Sequence, residues 1–145
     1  MEVRDAVEDD AEVMATLTDS PLDVMRNLVH DRTVRVAIES AGGGSDQQSS
    51  EEILGFVSFD ARGQTVHVTQ IAGPEAVCRR LLDAPIRFAQ REGMEVELLV
   101  PEDDSAVRSA ATSMAFNRVG AGPLFEGRST SRYRLDPNDE GEERS

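Results

Sequence analysis

Polar and apolar residues alternate from Glu2 to Val7, the two-residue period of a β-strand. Asp9 and Glu12 then stand at capping-box spacing and open a helix whose apolar side is Val13, Met14 and Leu17. A second helix start follows at Ser20, with Pro21 in the first turn and Asp23 near the positive end of the helix dipole. Leu22, Met25, Leu28 and Val29 recur at the helical period and form its buried face. Alternation returns from Thr33 to Ile38, a second strand.

Residues 41–52 carry no apolar side chain after Ala41, and the stretch reads as a flexible loop between strands. The third strand is expected over Ile53–Phe59, a turn over Ala61–Gln64 and the fourth strand over Thr65–Ile71. Apolar residues at Val77, Leu81, Ala84 and Phe88 mark a long helix from Pro74 to about Glu92, which Pro85 should kink and Gly93 should end. A fifth strand spans Met94–Val100, and a fourth helix runs from about Ser105 to Met114 with Val107, Ala110, Ala111 and Met114 on one side. A last pair of strands falls near Arg118-Val119 and over Ser131–Leu135. Residues 136–145 are acidic and polar, and are expected to be disordered. The elements fit one domain over residues 1–135.

Composition narrows the function classes. The chain has 145 residues, enough for a core without staples. One cysteine, Cys78, excludes an intramolecular disulfide and a cysteine-based zinc site, and no metal site is expected. No apolar run approaches the roughly 18 residues of a membrane span, and no signal peptide is visible, so a soluble cytoplasmic protein is expected. There are 28 acidic residues against 15 basic ones, giving a net charge of −13, and every basic residue is Arg. In molar salt the Debye length falls to about 3 Å, which screens such acidic self-repulsion, so adaptation to high internal salt (a halophilic cell) is the leading reading. An acidic surface that captures a basic partner is the other. Binding to nucleic acid is not expected, because no basic stripe offsets phosphate repulsion.

The element order resembles that of the GNAT superfamily, the acyl-CoA-dependent N-acetyltransferases, over about residues 2–135. Val68, the pair Leu81-Leu82 and Gly93 stand at the family's intervals, as do Val100 and Phe116 beyond the fifth strand. The resemblance implies an α/β (α+β) fold: a mixed, mostly antiparallel twisted sheet flanked by helices on both faces. It also implies acetyl-CoA as the cofactor. The pantetheine arm would add to the edge of the fourth strand at Val68, and the diphosphate would rest on the amides of residues 76–79. The cofactor-binding candidates are therefore Val68, Ala76, Val77, Cys78 and Arg79.

The sequence departs from the family at the chemical positions. Gly73, Ala76 and Cys78 occupy the family's signature positions for Arg/Gln, Gly and Gly/Ala. Glu75 brings a like charge to a phosphate site, and Pro74 removes one donor. Asp104 replaces an Asn and is a sound helix cap. Ala111 replaces the family's Tyr, its proton donor to the departing thiolate, and Leu99 stands where some members carry an acid. His67, on the fourth strand, is the one candidate catalytic base, and an ordinary strand histidine is its plain alternative. His30 reads as a partner of a helix C-terminus. Cys78, near a helix start, is either a thiol of lowered pKa or a small core residue, and the core reading is expected. Three functions stay open: an N-acetyltransferase for an unknown amine, a non-catalytic GNAT-like binding module, and an acidic interaction protein. The sequence names neither the acceptor nor the oligomeric state, homodimer included.

Overall fold

The alternating segments are strands: β1 (Glu2–Asp5), β2 (Thr33–Ser40), β3 (Glu51–Arg62), β4 (Thr65–Ala72), β5 (Glu95–Pro101), β6 (Asn117–Ala121) and β7 (Thr130–Leu135). The segments of longer period are helices: α1 (Ala11–Thr18), α2 (Leu22–Asp31), α3 (Glu75–Glu92) and α4 (Ser105–Ser113). These assignments come from a computed structural model, which describes residues 1–40, 51–124 and 127–137. The strands form one sheet in the order β1-β2-β3-β4-β5-β7-β6. Every neighbouring pair is antiparallel except β4 with β5, which are parallel and joined by α3. The fold expected from the sequence is the fold observed.

Two apolar clusters sandwich this sheet. Val66 and Val68 of β4 and Val96, Leu98 and Val100 of β5 pack with Val77, Cys78, Leu81 and Leu82 of α3 and Val107, Ala110 and Ala111 of α4. Ala11, Met14 and Met25 of α1 and α2 cover Val34, Val36, Ile38 and Phe56 of β2 and β3. Helices α1 and α2 thus lie over β2 and β3 on one face of the sheet, while α3 and α4 lie on the opposite face, where α3 packs on β2 to β5. No helix among the described residues is long and apolar enough to cross a membrane.

Several expectations need correction. The start of α1 is not the expected pair of Asp9 and Glu12: Asp10 precedes the helix without a side-chain cap bond to it, and its Oδ2 accepts instead from the Val7 amide at 2.8 Å, across a 3-10 turn at Glu8–Asp10. Arg4 grips the same carboxylate from β1, with Nη1 at 2.9 Å and Nη2 at 3.1 Å. Burial works to raise this carboxyl, but the Arg4 and Val7 hydrogen bonds and the Arg4 charge hold it below the ordinary aspartate value. Ala11 and Met14 form the buried side of α1, leaving Val13 and Leu17 exposed. Pro21 precedes the first turn of α2, and the Ser20 hydroxyl is bonded to Thr18 instead of capping the helix.

At the middle of the chain, Glu51 and Glu52 belong to β3, pairing with Ser40 and Glu39. The rest of the expected loop, 41–50, and residues 138–145 of the expected tail lie outside the described residues. β3 runs on to Arg62, so the hairpin to β4 is the two-residue turn Gly63-Gln64, with Gly63 at φ 61°. α3 continues through the buried Pro85 to Gly93, whose φ of 70° closes the helix in the left-handed region.

Candidate functional site

β4 and β5 pair only from Thr65↔Glu95 to Val68↔Leu98. Beyond that point the strands part. Gln70 to Ala72 stay on β3, and Leu99 to Pro101 stay on β7, so neither segment has the other as a partner. Thr69 is the extra residue of a β-bulge between the pairs Ser58↔Gln70 and Phe59↔Val68, and it sits at the opening. Its hydroxyl is tied to Ser58, 2.6 Å from the hydroxyl oxygen and 3.2 Å from the carbonyl oxygen. The result is a gap whose wall on one side is the unpaired backbone edge of β4. Val68 is buried at its closed end.

The chain leaves this gap through a tight junction. Gly73 has φ 140°, a conformation that favours glycine. The opposing β3 residue, Gly55, allows the approach: a Cβ there would collide with the Ala72 carbonyl oxygen and stand 2.9 Å from Val77 Cγ1. Pro74 precedes α3 in an extended conformation and gives no side-chain cap. The amides of Glu75, Ala76 and Val77 therefore precede the first intrahelical bond, which runs from the Cys78 amide to the Pro74 carbonyl at 2.9 Å.

The sequence candidates separate here. Of the amides at 76–79, only those of Ala76 and Val77 have no partner among the described residues; those of Cys78 and Arg79 belong to the helix. The glycine positions of the family signature hold Ala76 and Cys78 inside the first turns of α3, where both residues suit a helix better than glycine does. The Val77 side chain is buried, and those of Ala76, Arg79 and Arg80 are exposed. Cys78 is a core residue: it is fully buried, its thiol donates to the Gly73 carbonyl at 3.3 Å, and burial, with the charges of Asp104 and Glu75, pushes its pKa up to about 12. Burial outweighs the helix dipole.

The second strand-to-helix junction differs. Asp104 caps α4, its Oδ1 accepting from the Val107 amide at 3.1 Å. Ala111 is fully buried against the sheet and offers no proton. α4 closes with paired bonds from Phe116 to Ala111 at 3.0 Å and from Ala115 to Thr112 at 3.1 Å. That geometry puts Ala115 at φ 76°, a conformation that favours glycine. A cleft of about 450 Å³ is lined by Glu75 of α3, by Arg108, Ser109, Thr112 and Ser113 of α4, and by Tyr133 of β7.

On the other face of the sheet, alternation turns a row of charges away from α3 and α4. His67 pairs in register with Asp60 on β3 and with Glu97 on β5, one residue short of the gap. His67 Nδ1 lies 3.3 Å from Glu97 Oε1, while Arg132 and Arg134 of β7 each approach Glu97 Oε2 at 3.3 Å. The Glu97 side chain is only 12% exposed, so this carboxylate is the most enclosed member of the group. Sequence reading passed over it. The signal was present in Glu95 and Glu97 alternating with Val96 and Leu98, which places two acids on one face of a core strand. Among the described residues no group of three or more His, Cys, Asp or Glu is placed to hold a metal ion.

Searches by sequence give no match to a family model or to a curated protein. Solved structures do match. A putative acetyltransferase, yncA, from Salmonella typhimurium, determined with its cofactor acetyl-CoA, is 16% identical, with 95% of this chain and 94% of that chain covered and a TM-score of 0.69. A putative acetyltransferase of the GNAT family from Desulfovibrio desulfuricans is 15% identical over 94% and 98% of the chains, with a TM-score of 0.66. NAA60 of Arabidopsis thaliana, in complex with a bisubstrate analogue, is 15% identical over 92% and 95%, with a TM-score of 0.67. The fold is therefore the GNAT fold.

Proposed function

We propose that this protein is an acetyl-CoA-dependent N-acetyltransferase acting on an amine. The observation that carries the reading is the opening of the β4–β5 ladder after Val68, directly ahead of an uncapped helix start. An unpaired strand edge binds an extended amide-bearing arm as an added strand. Free amides at a helix N-terminus, with the dipole behind them, favour a diphosphate. The residues present fit such a ligand: the edge of β4 near Val68 for the arm, and the amides of Glu75, Ala76 and Val77 for the diphosphate. Arg79, Arg80 and Arg108 stand on the exposed sides of α3 and α4 and contribute positive charge. Glu75 opposes it. Acetyl-CoA would supply the activated acyl group as a thioester.

Because α3 and α4 cover one face of the gap, the acceptor amine comes from the other face, where His67 stands. In this reading His67 is the base that takes the amine proton. Its imidazole is partly exposed, and its Nε2 has no partner among the described residues.

A second reading has its own observation. Ala111 is buried where the family carries its proton donor, as a module that binds without turnover would allow. We read the charge of −13 as adaptation to molar salt, which a melting temperature that rises with KCl would support. The deciding experiment is thermal unfolding in molar KCl with and without acetyl-CoA. Ligand at a hundred times its Kd should stabilise the protein by about 2.7 kcal/mol, a shift of several degrees. No shift at millimolar acetyl-CoA would overturn both the transferase and the CoA-binding module. A shift without release of CoA across a panel of primary amines would favour the module.

A further inference from the structure

The acetyltransferase reading leaves open how an imidazole on a half-exposed sheet face is held in a useful state. His67 meets charged groups from each strand beside it. From β3 comes Asp60, which is paired with Arg32 and lies 3.9 Å from Arg62. From β5 comes Glu97, whose other oxygen faces Arg132 and Arg134, with Glu95 3.6 Å from Arg134. Both arginines lie against Asp60 Oδ2, while its Oδ1 is buried without a hydrogen-bond partner among the described residues, and no contact joins it to the His67 ring. Glu97 Oε1 is the carboxylate oxygen that lies within reach of the ring, at Nδ1 and not at Nε2.

We propose that Glu97 is the positioning residue for His67, the negative charge of its Oε1 beside Nδ1 favouring the proton on that nitrogen and so the neutral tautomer whose Nε2 accepts a proton. A proton placed on one ring nitrogen leaves the other as the base, and the partner of the first decides which is which. Arg132 and Arg134 hold the carboxylate in turn, so the arrangement is a chain from β7 through β5 to β4, fixed by strand register. The inference rests on the acetyltransferase reading for its chemistry. As the acceptor nitrogen's lone pair bonds to the acyl carbon, its N–H proton passes to His67 Nε2. The C–S bond breaks with its electron pair on sulfur, and His67 returns the proton to that sulfur. One imidazole then serves as base and as acid, in a chain where Ala111 offers no donor.

The chain has only 2 histidines, and His30 lies at the end of α2, 3.6 Å from Glu8, so a His30→Gln variant leaves His67 as the single imidazole signal. In ¹⁵N-histidine spectra at a pH where the ring is neutral, the Nδ1–H tautomer should dominate, and Glu97→Leu should move the population to Nε2–H. The melting temperature of that variant, with and without acetyl-CoA, reports whether it keeps the fold and the binding site. In the protein with native Glu97, acetyl-CoA at ten times its Kd should slow carbethoxylation of His67 about tenfold, with His30 unaffected. A dominant Nε2–H tautomer with native Glu97 would overturn the proposal whatever the ligand does. Acetyl-CoA that raises the melting temperature but leaves His67 unprotected would overturn it while the acetyltransferase reading stands. Absence of any thermal shift would overturn that reading, and the proton-transfer role with it.

Discussion

α3 and α4 both follow a strand of the parallel pair, and they finish their ends in opposite ways. α3 begins behind Pro74 with no side-chain cap and ends at Gly93, a residue suited to its left-handed φ of 70°. α4 begins behind Asp104, which accepts from Val107, and ends at Ala115, forced to φ 76° with a methyl group in place. The start of α4 is closed by its own side chain, while the start of α3 keeps amides open beside the gap between β4 and β5. A helix end left unsatisfied next to an unpaired strand edge is available to a ligand; one satisfied internally is structural.

The largest expected effect concerns Cys78, in the second turn of the open helix. If the dipole governed that end, its thiol would be reactive; the structure has burial govern it, with a pKa of about 12 against an ordinary 9.0. At pH 8 its alkylation by iodoacetamide should be slower than that of a free thiol by about a thousandfold, the ratio of thiolate populations. Its stability dependence has a matching sign. The folded pKa is the higher one, so the contribution is complete below 9.0 and is lost as pH rises through that value toward about 12. Alkylation of the native protein at the free-thiol rate would show that α3 opens far more readily than its packing implies.

Removing the cap of α4 should cost stability without touching ligand binding. Asp104→Ala is expected to lower unfolding free energy by about 1 kcal/mol, measured by urea denaturation, with an unchanged thermal shift by acetyl-CoA. A loss of that shift would mean that the two helix starts are not distinct in role. At the other end of α4, Ala115→Gly should raise stability by up to about 1 kcal/mol, because the methyl group no longer opposes positive φ and the gain exceeds the glycine's extra unfolded-state entropy. The smallest effect is at α3 itself. Glu75→Gln should strengthen acetyl-CoA binding by about 0.3–1 kcal/mol in low salt, by calorimetry, and by less in molar KCl. An unchanged affinity in low salt would place the anion away from the α3 start.

The elements were largely legible because their signals are local. Strand alternation, the apolar stripe of α2, Asp104 as a cap and Gly93 as a stop each depend on residues within a few positions of one another. The misplaced pieces are those where a distant residue intervened. The expected Asp9–Glu12 box gave way to Asp10, on whose carboxylate Arg4 of β1 and the Val7 amide converge. Glu51 and Glu52 joined β3 because Glu39 and Ser40 of β2 were there to pair with. The candidate site was legible only in outline. Val68, Ala76 and Val77 fall at the gap and the open amides, whereas Cys78 and Arg79 have their amides inside the helix. Gly55 and Thr69, which shape the junction and the opening, carry no local mark of those roles, and the alternation of β5 marks the face of Glu97 but not its meeting with His67.

The sequence by itself determined the order and kind of the elements, the faces they bury and the Val68-to-Gly93 spacing that points to this fold. It did so because helix and strand periods are written in neighbouring side chains. Tertiary structure alone decided where β4 and β5 part, that the Cys78 thiol is a core group, and that His67 meets Glu97. Those outcomes depend on strand register and burial, which follow from how separate segments pack and not from the residues beside them in the chain.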